Sequence, residues 1–241
     1  MIKAGTLYLI PNTIGGSTDT VSPYVIETIN KNKILHFAVE EVRSARRFLS
    51  LLGIKTAVSR NALQCVSTFY EIGKHSGQIQ LNNCIDILLH GQNMGLLSEA
   101  GCPGIADPGA ELVHLAHQNN INVTPLAGPS SIILALMASG LNGQQFAFHG
   151  YLPKERKERI QKLLKLEKAA LTGATQIFIE TPYRSQYILE DFVEHCNDNT
   201  RLCVASDLTL PSEFIKTKTV NNWKGHLPDI HKRPTVFLMG R

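Results

Sequence analysis

The stretch MGLLSEAGCPGIADPGAEL, Met94 to Leu112, joins three kinds of sequence end to end. Met94 to Leu97 is a short apolar run of the kind that forms a buried strand. Ser98 to Gly109 holds three glycines and two prolines. Some of its dihedrals are therefore locked and others freed, which suits a fixed loop beside a ligand. Asp107-Pro108 then reads as an N-cap and first helical position for a helix through Leu115. Strand, loop, helix is the repeating unit of an α/β fold.

The same alternation runs outward in both directions. Upstream, Leu7 to Pro11 and Ile34 to Val39 read as strands. Helices follow from Ser22-Pro23, where serine caps and proline opens the first turn, and through Arg43 to Leu52. Ala62 to Lys74 also reads as helix. Downstream, strand-like Asn122 to Leu126 leads into Ala127-Gly128-Pro129-Ser130-Ser131 and an apolar helix. Phe146 to Phe148 precedes a charged helix over Pro153 to Ala170. Gln176 to Glu180 and Arg201 to Ala205 read as strands around a helix from Tyr183 to His195. Glu213 to Val220 and Thr235 to Met239 add late β segments, which implies a mixed sheet in the second half. The chain is expected to be α/β, with an N-terminal domain over 1–124 and a C-terminal domain over 125–241.

Composition agrees with a soluble cytoplasmic protein. At 241 residues, with 43% hydrophobic side chains, the chain has enough apolar material for two α/β domains of about 120 residues each. The longest uncharged apolar run, Ile132 to Ala138, is far short of the roughly 20 residues that span a bilayer. Five scattered cysteines without a CxxC pair suit reduced thiols in a cytosol better than a disulfide framework. The net charge of +4 gives nucleic acid only modest support. No GxGxxG, GxxxxGK[ST], HExxH or GxSxG motif is present, and no metal site is expected. What remains is a set of loops after strands, where open α/β sheets bind ligands.

Five blocks in register then carry a resemblance: LYLIPNTIGG, Glu40-Glu41 followed by Arg43, SEAGCPGIADPG, PLAGPSSIILALMASGL with FAFHGYLP, and IETPYR. Together they resemble the tetrapyrrole methylase superfamily. Within it they are most similar to the branch that methylates a ribose 2′-oxygen of small-subunit ribosomal RNA. The resemblance implies two α/β domains, homodimerisation, and S-adenosylmethionine held in a cleft between the domains. It implies cofactor contacts at Pro11, at Gly101, Cys102, Pro103 and Ile105, at Ser130 and Ser131, at Glu180, and at Leu208. The sequence departs from the branch in three places. Glu40-Glu41-Val42-Arg43 stands for Glu-Asp-Thr-Arg, Pro-Asn-Thr-Ile-Gly-Gly for Pro-Thr-Pro-Ile-Gly-Asn, and Glu99 for an aspartate.

Methyl transfer from a sulfonium is an in-line displacement, so holding acceptor and methyl carbon together supplies much of the rate. Gly101 to Pro103 is expected to bring backbone carbonyls to the sulfonium, with a plain structural turn as the alternative. Gly128 to Ser131 either holds polar cofactor atoms at a helix start or simply caps that helix. A ribose acceptor must lose a proton. Glu41, Glu40 and Asp107 are the candidate bases, with Arg43 or Arg184 placed to grip a phosphate. For RNA contact, the basic helix with Lys154, Arg156, Lys157, Arg159, Lys162 and Lys165 competes with the stripe Arg43, Arg46 and Arg47. Glu155–Arg159 and Glu158–Lys162 are expected as i,i+4 pairs on the former. Two other readings stay open: a tetrapyrrole, small-molecule or protein acceptor, and a cofactor-binding sensor without turnover.

Overall fold

A computed structural model describes residues 3–56, 67–73 and 77–241. The chain separates into two compact units, Met1–Pro129 and Ser130–Arg241. In the first, the described residues form five strands alternating with four α-helices: β1 (Thr6–Ile10), α1 (Pro23–Lys31), β2 (His36–Val39), α2 (Val42–Leu51), β3 (Thr68–Glu71), α3 (Gly77–Leu89), β4 (Met94–Leu97), α4 (Gly109–Gln118) and β5 (Asn122–Pro125). The sheet order is β3-β2-β4-β1-β5, and every described pairing is parallel. A parallel sheet is covered on both faces, which its near-continuous apolar strands require. Ile10, Phe37, Val39 and Leu97 pack with α1 and α2 on one face. Leu7, Ala38, Met94 and Leu96 pack with α3 and α4 on the other. Gly95 is a glycine because a Cβ there would lie 2.5 Å from Ile10 Cδ1.

The second unit holds α5 (Ser131–Ser139), β6 (Phe146–Tyr151), α6 (Arg156–Ala170), β7 (Thr175–Glu180), α7 (Ser185–His195), β8 (Arg201–Ser206), β9 (Phe214–Thr219), α8 (Val220–Trp223) and β10 (Thr235–Gly240). Its sheet runs β6-β7-β10-β8-β9 and is mixed: β6 pairs parallel with β7, the other pairs antiparallel. Phe178 stacks on Phe237 at 5.4 Å in its core, and the buried Trp223 donates from Nε1 to Leu202 O at 3.0 Å.

Three local expectations change. The helix read over Ala62 to Lys74 is in its described part the edge strand β3, where Phe69 and Tyr70 pair with β2; residues 62–66 and 74 lie outside the described residues. Asp107 does not open α4 as a simple cap with Pro108 inside the helix, for α4 begins at Gly109 with Pro108 at the cap position. The i,i+4 pairs expected on α6 are absent. Arg159 turns inward instead and is buried against Asp191 of α7 at 2.7 Å, because a tertiary carboxylate at close range outcompetes a solvated neighbour on the same helix. Among the described residues no helix is long and apolar enough to cross a membrane.

Candidate active site

Because the first sheet is parallel, the carboxyl ends of β1, β2, β4 and β5 open on one edge. The segments that follow them are Pro11–Gly16, Glu40-Glu41, Ser98–Pro108 and Leu126–Pro129. Asn12 clasps two of these together. Its backbone N–H donates to Gly101 O at 2.8 Å, and its side-chain amide donates to Ser98 O and Glu99 O, both at 3.0 Å. Its Oδ1 accepts from Thr13 N–H at 2.8 Å. Gly101 N–H donates back to Thr13 O at 3.3 Å. The sequence reading named Pro11 and passed over Asn12, although the departure of Pro-Asn-Thr from Pro-Thr-Pro was the signal that marked it.

The segment after β5 closes on the same place. An alanine Cβ at Gly128 would sit 2.1 Å from Pro11 Cβ, so only glycine lets the β5 loop lie against Pro11. Cys102 Sγ donates to Pro129 O at 3.4 Å, and burial pushes its thiol pKa up. The thiol stays protonated and serves as a tether. Gly101 sits at φ +70°, in the left-handed region that glycine adopts without strain. Gly104 and Ala106 are left-handed as well, at +81° and +63°. Pro103 is buried within this turn, while Ile105 is half exposed.

The carboxylates at this edge have distinct work. Asp107 accepts Gly104 N–H with both oxygens at 2.9 Å and Gly109 N–H at 2.7 Å, so it stitches the loop to the start of α4. Glu41 caps α2, accepting from Arg43 N–H at 2.7 Å and Ser44 N–H at 2.6 Å; these bonds hold its pKa below the ordinary carboxylate range. Glu40 is different. Burial raises its pKa, the neighbouring carboxylates of Asp107 and Glu99 raise it further, and the Glu99 N–H only partly opposes them. Ser44 Oγ donates to Glu99 Oε1 at 2.6 Å, which ties α2 to the β4 loop. Arg43 is exposed on α2.

The second unit gathers another edge. Thr235 of β10 pairs with Glu180 on one side and Ser206 on the other, so the ends of β7 and β8 lie together. Glu180 is buried. Its Oε1 accepts from Thr181 N–H at 2.7 Å, and its Oε2 faces Arg184 at 3.0 Å without an aligned hydrogen bond. Leu208 is buried between Asp207 and Thr209, which are left-handed at φ 52° and 70°. Ser130 occupies the cap position of α5 without a side-chain capping bond, so capping is not what its hydroxyl does. Ser131 opens the helix. The one metal-type grouping among the described residues, Asp191, Glu194 and His195, has its central carboxylate held by Arg156 and Arg159.

Comparison with known proteins agrees with this architecture. A family model described as Tetrapyrrole (Corrin/Porphyrin) Methylases matches residues 16–222. A protein of Haemophilus influenzae named ribosomal RNA small subunit methyltransferase I is 32% identical over 238 residues, covering 98% of this chain and 78% of that protein. A protein of the same name from Halalkalibacterium halodurans is 35% identical over 213 residues, covering 88% of this chain and 68% of its own length. Among solved structures, cobalt precorrin-4 methyltransferase CbiF superposes with a TM-score of 0.60 at 13% identity, over 98% of this chain and 94% of that one. Methyltransferase CobJ gives 0.58 at 18% identity, over 99% and 94%. At such identities the structures establish the fold.

Proposed function

The chain belongs to the tetrapyrrole (corrin/porphyrin) methylases and is a methyltransferase, and from that premise we propose that it methylates a ribose 2′-hydroxyl of small-subunit ribosomal RNA, with S-adenosylmethionine as donor. The observation that carries the reading is the Asn12 clasp. It fixes the left-handed glycine turn at Gly101 on the carboxyl edge of a parallel sheet, the edge at which open α/β sheets bind their ligands. A Cβ at Gly101 would crowd Ile14 Cγ2 at 3.2 Å, so glycine is what lets the β1 and β4 loops close on one another there. Pro11, Gly101, Cys102, Pro103 and Ile105 form the cofactor contacts of the first unit in this reading. The family resemblance assigns the others to Ser130, Ser131, Glu180 and Leu208.

When bound, S-adenosylmethionine supplies a methyl carbon on a positively charged sulfonium. The chain's own part is to orient, to exclude water and to move one proton. We assign that proton to Glu40, since Glu41 and Asp107 are engaged in holding α2 and the β4 loop. A half-buried carboxylate with a raised pKa is a better proton acceptor at neutral pH than an exposed, stabilised one. Arg43 stands ready for a phosphate of the acceptor. The relatives named above are called ribosomal RNA methyltransferases, which supports the acceptor. Homodimerisation and a cytoplasmic setting belong to the same reading. The test is transfer of labelled methyl to small ribosomal subunits from a strain lacking the corresponding activity, with tetrapyrroles in parallel. Label in RNA as an alkali-resistant dinucleotide is expected; label in a tetrapyrrole alone overturns the acceptor.

A further inference from the structure

Two basic surfaces compete for RNA, and the structure treats them differently. On α6, Arg159 is buried and spent on Asp191, while Arg156 pairs with Asp191 at 2.7 Å and Glu194 at 2.8 Å. Its lysines make no ion pair among the described residues, but they are interspersed with Glu155, Glu158 and Glu167, which dilute the positive charge of that face. On α2, Arg43, Arg46 and Arg47 are exposed on one helix face, and none makes an ion pair with a described residue. Glu41 lies close enough to feel Arg43, but both its oxygens already accept from the backbone.

This arrangement costs the helix stability. Like charges three and four residues apart repel. Arg43 also sits in the first turn, where the helix end is itself positive. A polyanion bound along the stripe would relieve that repulsion. Its position is fixed by the Ser44–Glu99 bond at one end and by Arg46, whose guanidinium lies 5.1 Å over the Phe69 ring of β3, at the other. The stripe therefore begins beside Glu40 and the β4 loop and leads to the sheet's edge strand.

Resting on the RNA reading above, we propose that the exposed face of α2, and not α6, is where the acceptor RNA backbone docks. Arg43, Arg46 and Arg47 contact neighbouring phosphates of one strand. Guanidinium forks suit phosphate oxygens, and their spacing over about 6 Å of helix fits a polyanion better than a single small anion.

The test compares R46Q/R47Q with K157Q/K165Q, leaving Arg43 in place. KM and kcat are measured for methylation of unmethylated small ribosomal subunits across potassium chloride concentrations, with S-adenosylhomocysteine affinity by calorimetry. R46Q/R47Q is expected to raise KM about tenfold and to flatten the slope of log KM against log salt by about 1.4, with kcat retained. K157Q/K165Q is expected to leave both unchanged. Wild-type KM and slope in R46Q/R47Q, or the flattening found in K157Q/K165Q instead, overturns the proposal. Should R46Q/R47Q lose S-adenosylhomocysteine affinity, R47Q alone carries the test, with a slope change of about 0.7 expected and no change overturning it. Wild-type enzyme that methylates no RNA fails the parent reading first, and this one with it.

Discussion

Glu40 and Glu41 are neighbours in sequence with opposite electrostatics, and each leads to a separate expectation. Glu40 holds its proton more tightly when folded, so its ionisation costs stability as pH rises above the ordinary 4.5. Glu40→Gln is therefore expected to raise the melting temperature at pH 7 but not at pH 4. The same variant should lower kcat by about a hundredfold or more if Glu40 takes the ribose proton. Unchanged kcat removes it as base. Glu41 behaves the other way. Its folded pKa lies below 4.5, so its contribution is present above that value and is lost as pH falls through the folded value. Glu41→Ala is expected to melt earlier at pH 7, with a deficit that shrinks in acid. A deficit constant with pH would show that α2 is not held by the carboxylate. The pair of acids was legible in the sequence. Which one capped a helix and which one was half-buried was not, because both facts depend on where α2 starts against the β4 loop.

At the scale of elements, the site is an agreement among three loops. Gly128 touches Pro11, Asn12 binds Ser98, Glu99 and Gly101, and Cys102 binds Pro129. Gly128→Ala forces a Cβ into Pro11 and should displace Asn12 with it. Calorimetry is expected to show S-adenosylhomocysteine affinity lowered by about tenfold or more, equivalent to about 1.4 kcal/mol. Full affinity in that variant would mean the clasp does not form the cofactor seat. Strand β3 shows why one element was misread. Thr68–Glu71 is a short edge strand, with Phe69 and Tyr70 only partly covered. It lacks the continuous apolar run that made β2 and β4 plain.

Across the whole molecule, each unit carries its own core, and the second depends on a buried ion pair. Asp191 and Arg159 are 3% and 7% exposed, and both carboxylate oxygens are engaged by arginine. Asp191→Ala leaves Arg159 buried without its partner and should cost about 3 to 5 kcal/mol. Hydrogen exchange is expected to show faster amides in Ser130–Arg241 while β1 to β5 keep their protection; a loss below 1 kcal/mol would mean that Arg159 finds water instead. The sequence by itself determined the alternation of strands and helices, the glycine turn after β4 and the family, since these rest on apolar periodicity and on local backbone demands. Only the tertiary structure decided that Asn12 holds the loops, that Arg159 belongs to the core, and that the arginines of α6 are ion-paired while, among the described residues, those of α2 are not. Those outcomes depend on which polar group lies within about 3 Å of another across the fold, and no local pattern records that distance.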